Sequence, residues 1–112
     1  MPNRKMIEKV YTLYQGNEKK IEKIVMENRG HYLHMVFPKN EGLPIHMSNA
    51  DLFMTVMRGT LTLGLNDLPL NEYTEGIMVQ IPFQTKMNVR NESDTILELI
   101  VVKTLPEGKE KI

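Results

Sequence analysis

The 112-residue sequence contains no cysteine and no tryptophan, and its charges cancel. The lack of cysteine excludes disulfides, thiolate metal ligands and thiol nucleophiles. With 14 acidic and 14 basic side chains, no net field attracts nucleic acid or an acidic membrane surface. No apolar run approaches the roughly 20 residues of a membrane-spanning helix, and no signal-peptide pattern is evident. The composition predicts a soluble cytoplasmic protein with no nucleic-acid or membrane partner.

Methionine, in contrast, is frequent, with nine residues. Its flexible thioether side chain fills irregular apolar space in protein cores, and it also lines adaptable binding surfaces. Both interpretations stay open at this point: the methionines fill a core, or they line a ligand pocket.

Short alternating segments separated by turn residues run along the whole chain. The clearest covers residues 31–37, with Leu33, Met35 and Phe37 on one face, and the leucines of 60–65 alternate in the same way. Further strands are predicted at 5–14, 52–58, 76–82 and 95–103. The spacing in 19–26 fits a helix as well as a strand, and the short length and the β-rich context favour a strand. We find no long helix and no internal repeat. The pattern predicts one all-β domain over residues 1–112, with a sandwich or barrel at about 5–103 and a frayed tail at 104–112.

The segment 52–58 is apolar on both faces, and Phe53 and Met57 form the row that points away from the predicted core. A strand that is covered on one side only would alternate with polar residues. Either the predicted strand at 5–14 or a second subunit must therefore cover this row. Exposed apolar rows mark contact surfaces, so we predict a homodimer.

Two groups of residues at fixed spacing resemble the cupin family. The first cupin motif has a Gly, a His-x-His pair, a Glu and a Gly, and the second has a Gly, a Pro-x-Gly, a His and an Asn. The matching positions here are Gly42, His46, Ser48, Leu52 and Gly59, then Gly76, Pro82, Gln84, Met87 and Asn91. The resemblance covers about residues 31–102 and is closest to short, single-domain, uncharacterised cupins of bacteria and archaea. It implies a double-stranded β-helix, a jelly-roll-like barrel of antiparallel strands.

The resemblance also implies a degenerate metal site. In metal-binding cupins four positions carry His, His, Glu and His, and here they carry His46, Ser48, Leu52 and Met87. One imidazole, a hydroxyl and a thioether are a poor ligand set for a divalent ion, and leucine adds nothing. We therefore expect no cofactor.

A substitute metal site has few candidate ligands. His31 and His34 are three apart on one strand, so they face opposite sides and cannot both join His46. If a divalent ion binds, we expect it at His46 with His34 or Asp51. Otherwise we expect a buried His46 ring that is hydrogen-bonded to Ser48 or to a backbone carbonyl.

Three functions stay open, and we assign no catalytic residue. The first is a module that binds or senses a small apolar or carboxylate-bearing molecule in a Met-lined pocket. The second is a metal-dependent enzyme of the dioxygenase or isomerase type with a non-standard ligand set. The third is a structural or interaction protein with a filled barrel. The degenerate site favours binding over catalysis. The predicted pocket consists of His46, Ser48, Leu52, Met54, Gln84, Met87, Met35 and Phe83.

Overall fold

The structure is a computed structural model that describes residues 6–105, and in this range it has nine β-strands and no helix. Accordingly, these residues contain no helix with the length and apolarity to cross a membrane. The strands are β1 Lys20–Glu27, β2 Gly30–Phe37, β3 His46–Met47, β4 Asp51–Arg58, β5 Thr60–Leu65, β6 Asn71–Thr74, β7 Met78–Ile81, β8 Lys86–Arg90 and β9 Leu97–Thr104.

The strands form two antiparallel sheets with the core between them. The larger sheet has the order β1-β2-β9-β4-β7, and the smaller has the order β3-β8-β5-β6. Because successive strand residues alternate in direction, every second residue of β2, β4, β5, β8 and β9 enters the core. The core consists of Leu33, Met35, Phe37, Ala50, Leu52, Met54, Val56, Leu61, Leu63, Ile81, Met87, Val89, Leu97, Leu99 and Val101. The predicted all-β double-stranded β-helix is confirmed.

The outer face of the larger sheet is partly covered by the segment before β1, which we call the N-terminal arm (residues 6–19). Val36 and His34 point away from the core, yet both are 0% exposed. The arm reaches this face through Tyr14, whose backbone N–H donates to the Glu22 carboxylate at 2.8 Å.

The predicted strand at 5–14 is wrong where the structure describes it, because no strand lies between residues 6 and 19. Its apolar residues do not bury one face: Ile7 is 101% exposed and Val10 is 71% exposed. The backbone of Tyr14 is bonded to a side chain rather than to a strand ladder. The strands therefore span residues 20–104 instead of 5–103. Most of the predicted tail, residues 106–112, lies outside the described residues.

The doubly apolar segment becomes β4, and its two faces have different surroundings. The inward row packs in the core, whereas Phe53 is half-buried and Met57 is 51% exposed. The alternation in β5 is weaker than predicted, because Thr62 on the outer side is buried as well. Gly64 on that side lies against Leu70, so the turn after β5 covers part of this face.

Candidate functional site

The first of the four positions that correspond to cupin metal ligands is His46 on β3. It pairs with Met87 across the antiparallel ladder, so the two side chains leave the sheet on the same side. The His46 side chain is nonetheless exposed, and its Nδ1 lies 2.8 Å from the Pro44 carbonyl oxygen. The expectation of a buried imidazole in an apolar barrel is wrong, because the two-residue strand β3 leaves the ring at the edge of the smaller sheet.

Ser48, at the second position, holds two loops together. Its hydroxyl donates to the Pro82 carbonyl at 2.7 Å and accepts from the Thr85 backbone N–H at 2.8 Å. Its backbone N–H donates to the Thr85 carbonyl, and its carbonyl accepts from the Gln84 N–H. The side chain is 3% exposed, so it is built into the link between the β3–β4 loop and the β7–β8 turn.

Leu52 and Met87, at the third and fourth positions, are each 2% exposed and belong to the hydrophobic core. Met35 and Met54 lie in the same cluster. Four of the predicted pocket residues thus meet, but they meet as packed core rather than as walls of an open cavity. The cavity described below lies between the N-terminal arm and the larger sheet. A ligand-binding role for these four residues stays a prediction.

These side chains do not fit the divalent ion that the fold family implies. The donor set is one exposed imidazole, one hydroxyl with its hydrogen bonds already made, one buried thioether and one hydrocarbon. Such a donor set is a poor match for the hard or borderline cations that cupins bind. Within residues 6–105, no three His, Cys, Asp or Glu side chains are grouped so that they could hold a metal ion.

The substitute ligands are also kept apart. Asp51 accepts a hydrogen bond from the Phe83 backbone N–H at 2.9 Å and so fixes the β7–β8 turn. His34 lies on the outer face of the larger sheet, across the sheet from the core. The structure therefore does not bring His34 or Asp51 to His46.

Phe83 and Gln84, the remaining predicted pocket residues, form that turn. Gln84 is exposed and has a φ of 64°, in the left-handed region that glycine favours. It occupies the place where the second cupin motif has a glycine, so the backbone conformation is retained while the residue differs.

Sequence reasoning missed a buried polar network around His34. The ring is 0% exposed; its Nδ1 lies 2.8 Å from a Glu22 oxygen and its Nε2 lies 2.6 Å from a Glu98 oxygen. An ionised carboxylate can only accept, so a ring nitrogen that faces one donates its hydrogen to it. No sequence signal identifies this network, because the alternation of β1, β2 and β9 does not say which strands become neighbours.

The network continues to the N-terminal arm. Arg58 Nε donates to Glu98 at 3.0 Å, and Arg58 Nη2 contacts Gly16 O at 3.4 Å and Asn17 Oδ1 at 3.2 Å. The pKa of Glu22 is lowered, first by the hydrogen bond from the Tyr14 backbone and then by the one from His34. We call Glu22, His34, Arg58 and Glu98 the arm clamp, because they join residues 14–17 to the sheet.

A cavity of about 620 Å³ lies between the arm and the end of the larger sheet where β2 begins and β9 ends. Its apolar lining is supplied by Tyr11, Leu13, Ile24, Val25, Tyr32 and Val102. Its charged and titratable lining residues are Glu27, Arg29, His31 and Lys103. We call this cavity the arm cleft.

Lys103 is the least solvated cation of the arm cleft. Burial, and to a smaller extent the charge of Lys23, lower the pKa of its amine. Its Nζ lies 3.4 Å from Asn49 Oδ1, and in the part of the chain described here it forms no ion pair. A half-buried ammonium without a counter-ion favours an anionic group nearby.

Comparison with known proteins identifies the family. No protein-family model matches the sequence. MJ0764, an uncharacterised protein of Methanocaldococcus jannaschii, is 38% identical over 99 residues, which are 88% of this chain and 85% of MJ0764. Its crystal structure, described as an RmlC-like cupin family protein with a double-stranded β-helix fold, matches with a TM-score of 0.86 over 89% of this chain and 93% of that chain.

More distant structures share the fold alone. SPY1581, a conserved Streptococcus pyogenes protein of unknown function, has a TM-score of 0.73 at 16% identity, covering 91% of this chain and 93% of that chain. A cupin superfamily protein of Desulfitobacterium hafniense has a TM-score of 0.72 at 8% identity, over 85% of this chain and 84% of that chain. The identity to MJ0764 over most of both chains, together with the shared two-sheet architecture, shows that this chain belongs to the RmlC-like cupin family.

Proposed function

We propose that this cupin is a small-molecule-binding module with a degenerate metal site, and that it does not work through a metal centre in its barrel. The observation that carries the proposal is the burial of Leu52 and Met87, each 2% exposed, at two of the four ligand positions. Apolar side chains there stabilise the core by burial, and they supply no lone pair that a divalent ion prefers.

The arm cleft is the ligand site that the geometry supports best. Its volume of about 620 Å³ is within the usual range of small-molecule sites, and its walls are mostly apolar with polar groups at few points. Lys103 and Arg29 outnumber Glu27 among its charged lining residues. We therefore expect a ligand with an apolar body and one acidic group, bound outside the barrel, whereas the sequence left an apolar and a carboxylate-bearing molecule open as alternatives.

Fluorescence titration with 8-anilinonaphthalene-1-sulfonate, an apolar anion, tests this site. We expect saturable emission enhancement, and we expect Lys103→Met to weaken binding by about tenfold because it keeps the apolar stem and removes the charge. Lys86→Met is the matched control, since Lys86 lies on the smaller sheet in an exposed ion pair with Asp67. Equal affinity for the Lys103→Met variant and the wild type would contradict the assignment.

The alternative of a metal-dependent enzyme has its own test. Elemental analysis of the purified protein and of a His46→Ala variant measures bound ions per chain, and we expect well below one in both. A stoichiometric ion that is lost with the imidazole would favour the enzyme alternative. A cytoplasmic location stays a prediction, which fractionation of the source cells checks.

A further inference from the structure

Three basic side chains lie in the inward row of the larger sheet, just beyond the point where the hydrophobic core ends. Leu33 and Val101 belong to the core, and His31 and Lys103 are the next inward positions on β2 and β9. His31 and Lys103 are direct partners in the β2–β9 ladder. Lys23 is the ladder partner of Leu33, so it leaves the sheet on the same side. We call Lys23, His31 and Lys103 the basic row.

The basic row has no acidic partner within residues 6–105. Neither lysine forms an ion pair with a described residue, and Lys103 Nζ lies 3.4 Å from a neutral group, Asn49 Oδ1. The carboxylates of β1, β4 and β9 all lie in the outward rows, and they are Glu22, Glu27, Asp51 and Glu98. The sheet itself therefore does not neutralise the positive charge on its inward side at this end.

Lys103 is the member of the basic row whose charge is solvated least. Burial lowers the pKa of its amine, and the nearby charge of Lys23 lowers that pKa further. Both effects act against the charged form, because the ammonium group loses hydration and lies close to a like charge. A bound anion would offset both effects, and an anion with two charges would match both lysines.

We propose that the ligand of the arm cleft carries a phosphate-type dianion, and that the basic row binds this group at the end of the larger sheet where β2 begins and β9 ends. The proposal rests on the proposed function, because the arm cleft supplies the site for the apolar body. His31 and Lys103 line the cleft, and so does Ile24, the neighbour of Lys23, so the basic row borders the cleft.

The chemistry of the basic row fits a phosphate group better than a carboxylate. Two ammonium groups match the charge of nearly two that a phosphate monoester has at neutral pH. The imidazole of His31 adds a ring N–H donor, and a phosphate has a third oxygen that accepts it. A carboxylate has one charge, so it would leave one of the two ammonium groups without a counter-ion.

Isothermal titration calorimetry with phenyl phosphate and phenyl sulfate at pH 8 tests the charge of the bound group. Both probes have an apolar ring and a tetrahedral head group, but the phosphate carries nearly two charges at this pH and the sulfate carries one. We expect the wild type to bind phenyl phosphate about tenfold more tightly than phenyl sulfate, because the second charge interacts with a second ammonium group.

Lys23→Met tests the basic row itself. Lys23 is exposed, so the substitution does not disturb the core, and methionine keeps an apolar stem while the charge is lost. We expect the ratio of the two affinities to fall to about twofold. Lys86→Met is the matched control, because it removes one positive charge from an exposed ion pair on the smaller sheet, and its ratio should equal that of the wild type. Far-UV circular dichroism checks that both variants are folded.

The outcomes separate this proposal from the proposed function. Equal affinities of the wild type for phenyl phosphate and phenyl sulfate overturn the dianion proposal, and so does the same ratio in Lys23→Met and Lys86→Met. If the dye still binds saturably and depends on Lys103 in that case, the arm cleft remains the ligand site and only its acidic group was assigned wrongly. If neither the dye nor either phenyl ester binds, the proposed function and the dianion proposal are both wrong.

Discussion

At the residue scale, Gln84 has the left-handed backbone conformation that suits the glycine of the second cupin motif, although it carries a side chain. Its φ of 64° costs a side-chain-bearing residue about 1–2 kcal/mol, whereas glycine reaches this region freely. The Ser48 carbonyl and the Asp51 carboxylate accept hydrogen bonds from this turn, so its conformation is fixed from outside. The exposed glutamine side chain adds little that would offset the cost.

We therefore expect Gln84→Gly to raise the free energy of unfolding by ~0.5–1 kcal/mol, after the entropy that glycine adds to the unfolded chain is subtracted. Urea titration measures the change. Gln80→Gly is the control, because Gln80 lies in strand β7, where glycine should lower stability. A destabilised Gln84→Gly variant would show that the glutamine side chain makes contacts that stabilise the folded chain.

Asn91 is the residue of the second cupin motif whose role the structure explains fully. Its amide nitrogen donates to the Phe37 carbonyl at 2.8 Å and to the Thr95 carbonyl at 2.7 Å. Its amide oxygen accepts from the backbone N–H and the hydroxyl of Ser93. The residue is 0% exposed, so it joins the end of β2 to the β8–β9 loop without unsatisfied groups.

Asn91→Asp should lower the free energy of unfolding by about 3 kcal/mol or more at pH 7, because two carbonyl oxygens would then face a buried carboxylate. Chemical denaturation at this pH measures the loss. Asn71→Asp, at an exposed site on β6, should change stability by less than about 0.5 kcal/mol. An unchanged free energy of unfolding for Asn91→Asp would mean that the β8–β9 loop rearranges without cost.

At the scale of elements, the two glycines with positive φ make a matched pair. Gly59 has a φ of 84° and joins β4 to β5, and Gly76 has a φ of 85° and precedes β7. A Cβ at Gly59 would overlap the Ile96 carbonyl oxygen, whereas a Cβ at Gly76 would meet nothing within 4 Å. A side chain at either glycine would therefore have the same backbone cost, but only at Gly59 would it also have a steric cost.

Gly76→Ala should therefore lower the free energy of unfolding by about 1 kcal/mol, and Gly59→Ala by about 3 kcal/mol, since it adds an overlap with fixed backbone. Thermal and urea unfolding of the two variants measure the difference. Equal losses would show that the loop before β9 moves away without cost.

The arm clamp makes the free energy of unfolding of the chain depend on pH. The pKa of Glu22 is lower in the folded chain than its ordinary value of 4.5, so the unfolded chain takes up the proton first as the pH falls. The stability that Glu22 contributes is thus fully present above about pH 4.5 and is lost as the pH falls through the folded pKa. The other groups of the clamp, His34, Arg58 and Glu98, face the same carboxylate network.

We expect the free energy of unfolding of the wild type to decrease below about pH 4.5 more steeply than that of Glu22→Gln. Urea titrations between pH 3 and pH 7 test this expectation. Glu72→Gln, at an exposed position of β6, should keep the wild-type slope. A Glu22→Gln variant with an unchanged slope would assign the acid sensitivity to other carboxyls.

At the scale of the whole molecule, the fold was predictable from the sequence and the surface was not. Alternation in 31–37 predicted the core face of β2, and the assignment of Phe53 and Met57 to the outward row of 52–58 predicted that of β4, because period two depends only on local backbone geometry. The exposure of His46 contradicts the prediction, and the buried network around His34 was not predicted. Their surroundings depend on strand partners far apart in sequence, and on an arm that is apolar but does not pair as a strand.

The packing of Leu52 and Met87 predicts how a restored metal site in this barrel would affect folding. Ser48→His, Leu52→Glu and Met87→His together would restore the donor types of a metal-binding cupin, but they would remove two close-packed apolar side chains and bury a carboxylate. Metal coordination would then have to supply the folding free energy that was lost with the hydrophobic packing, so the variant would fold only with a bound cation. We expect the melting temperature of this triple variant to fall in EDTA and to climb with added Ni²⁺ or Mn²⁺, while that of the wild type stays constant in both; differential scanning fluorimetry makes the comparison.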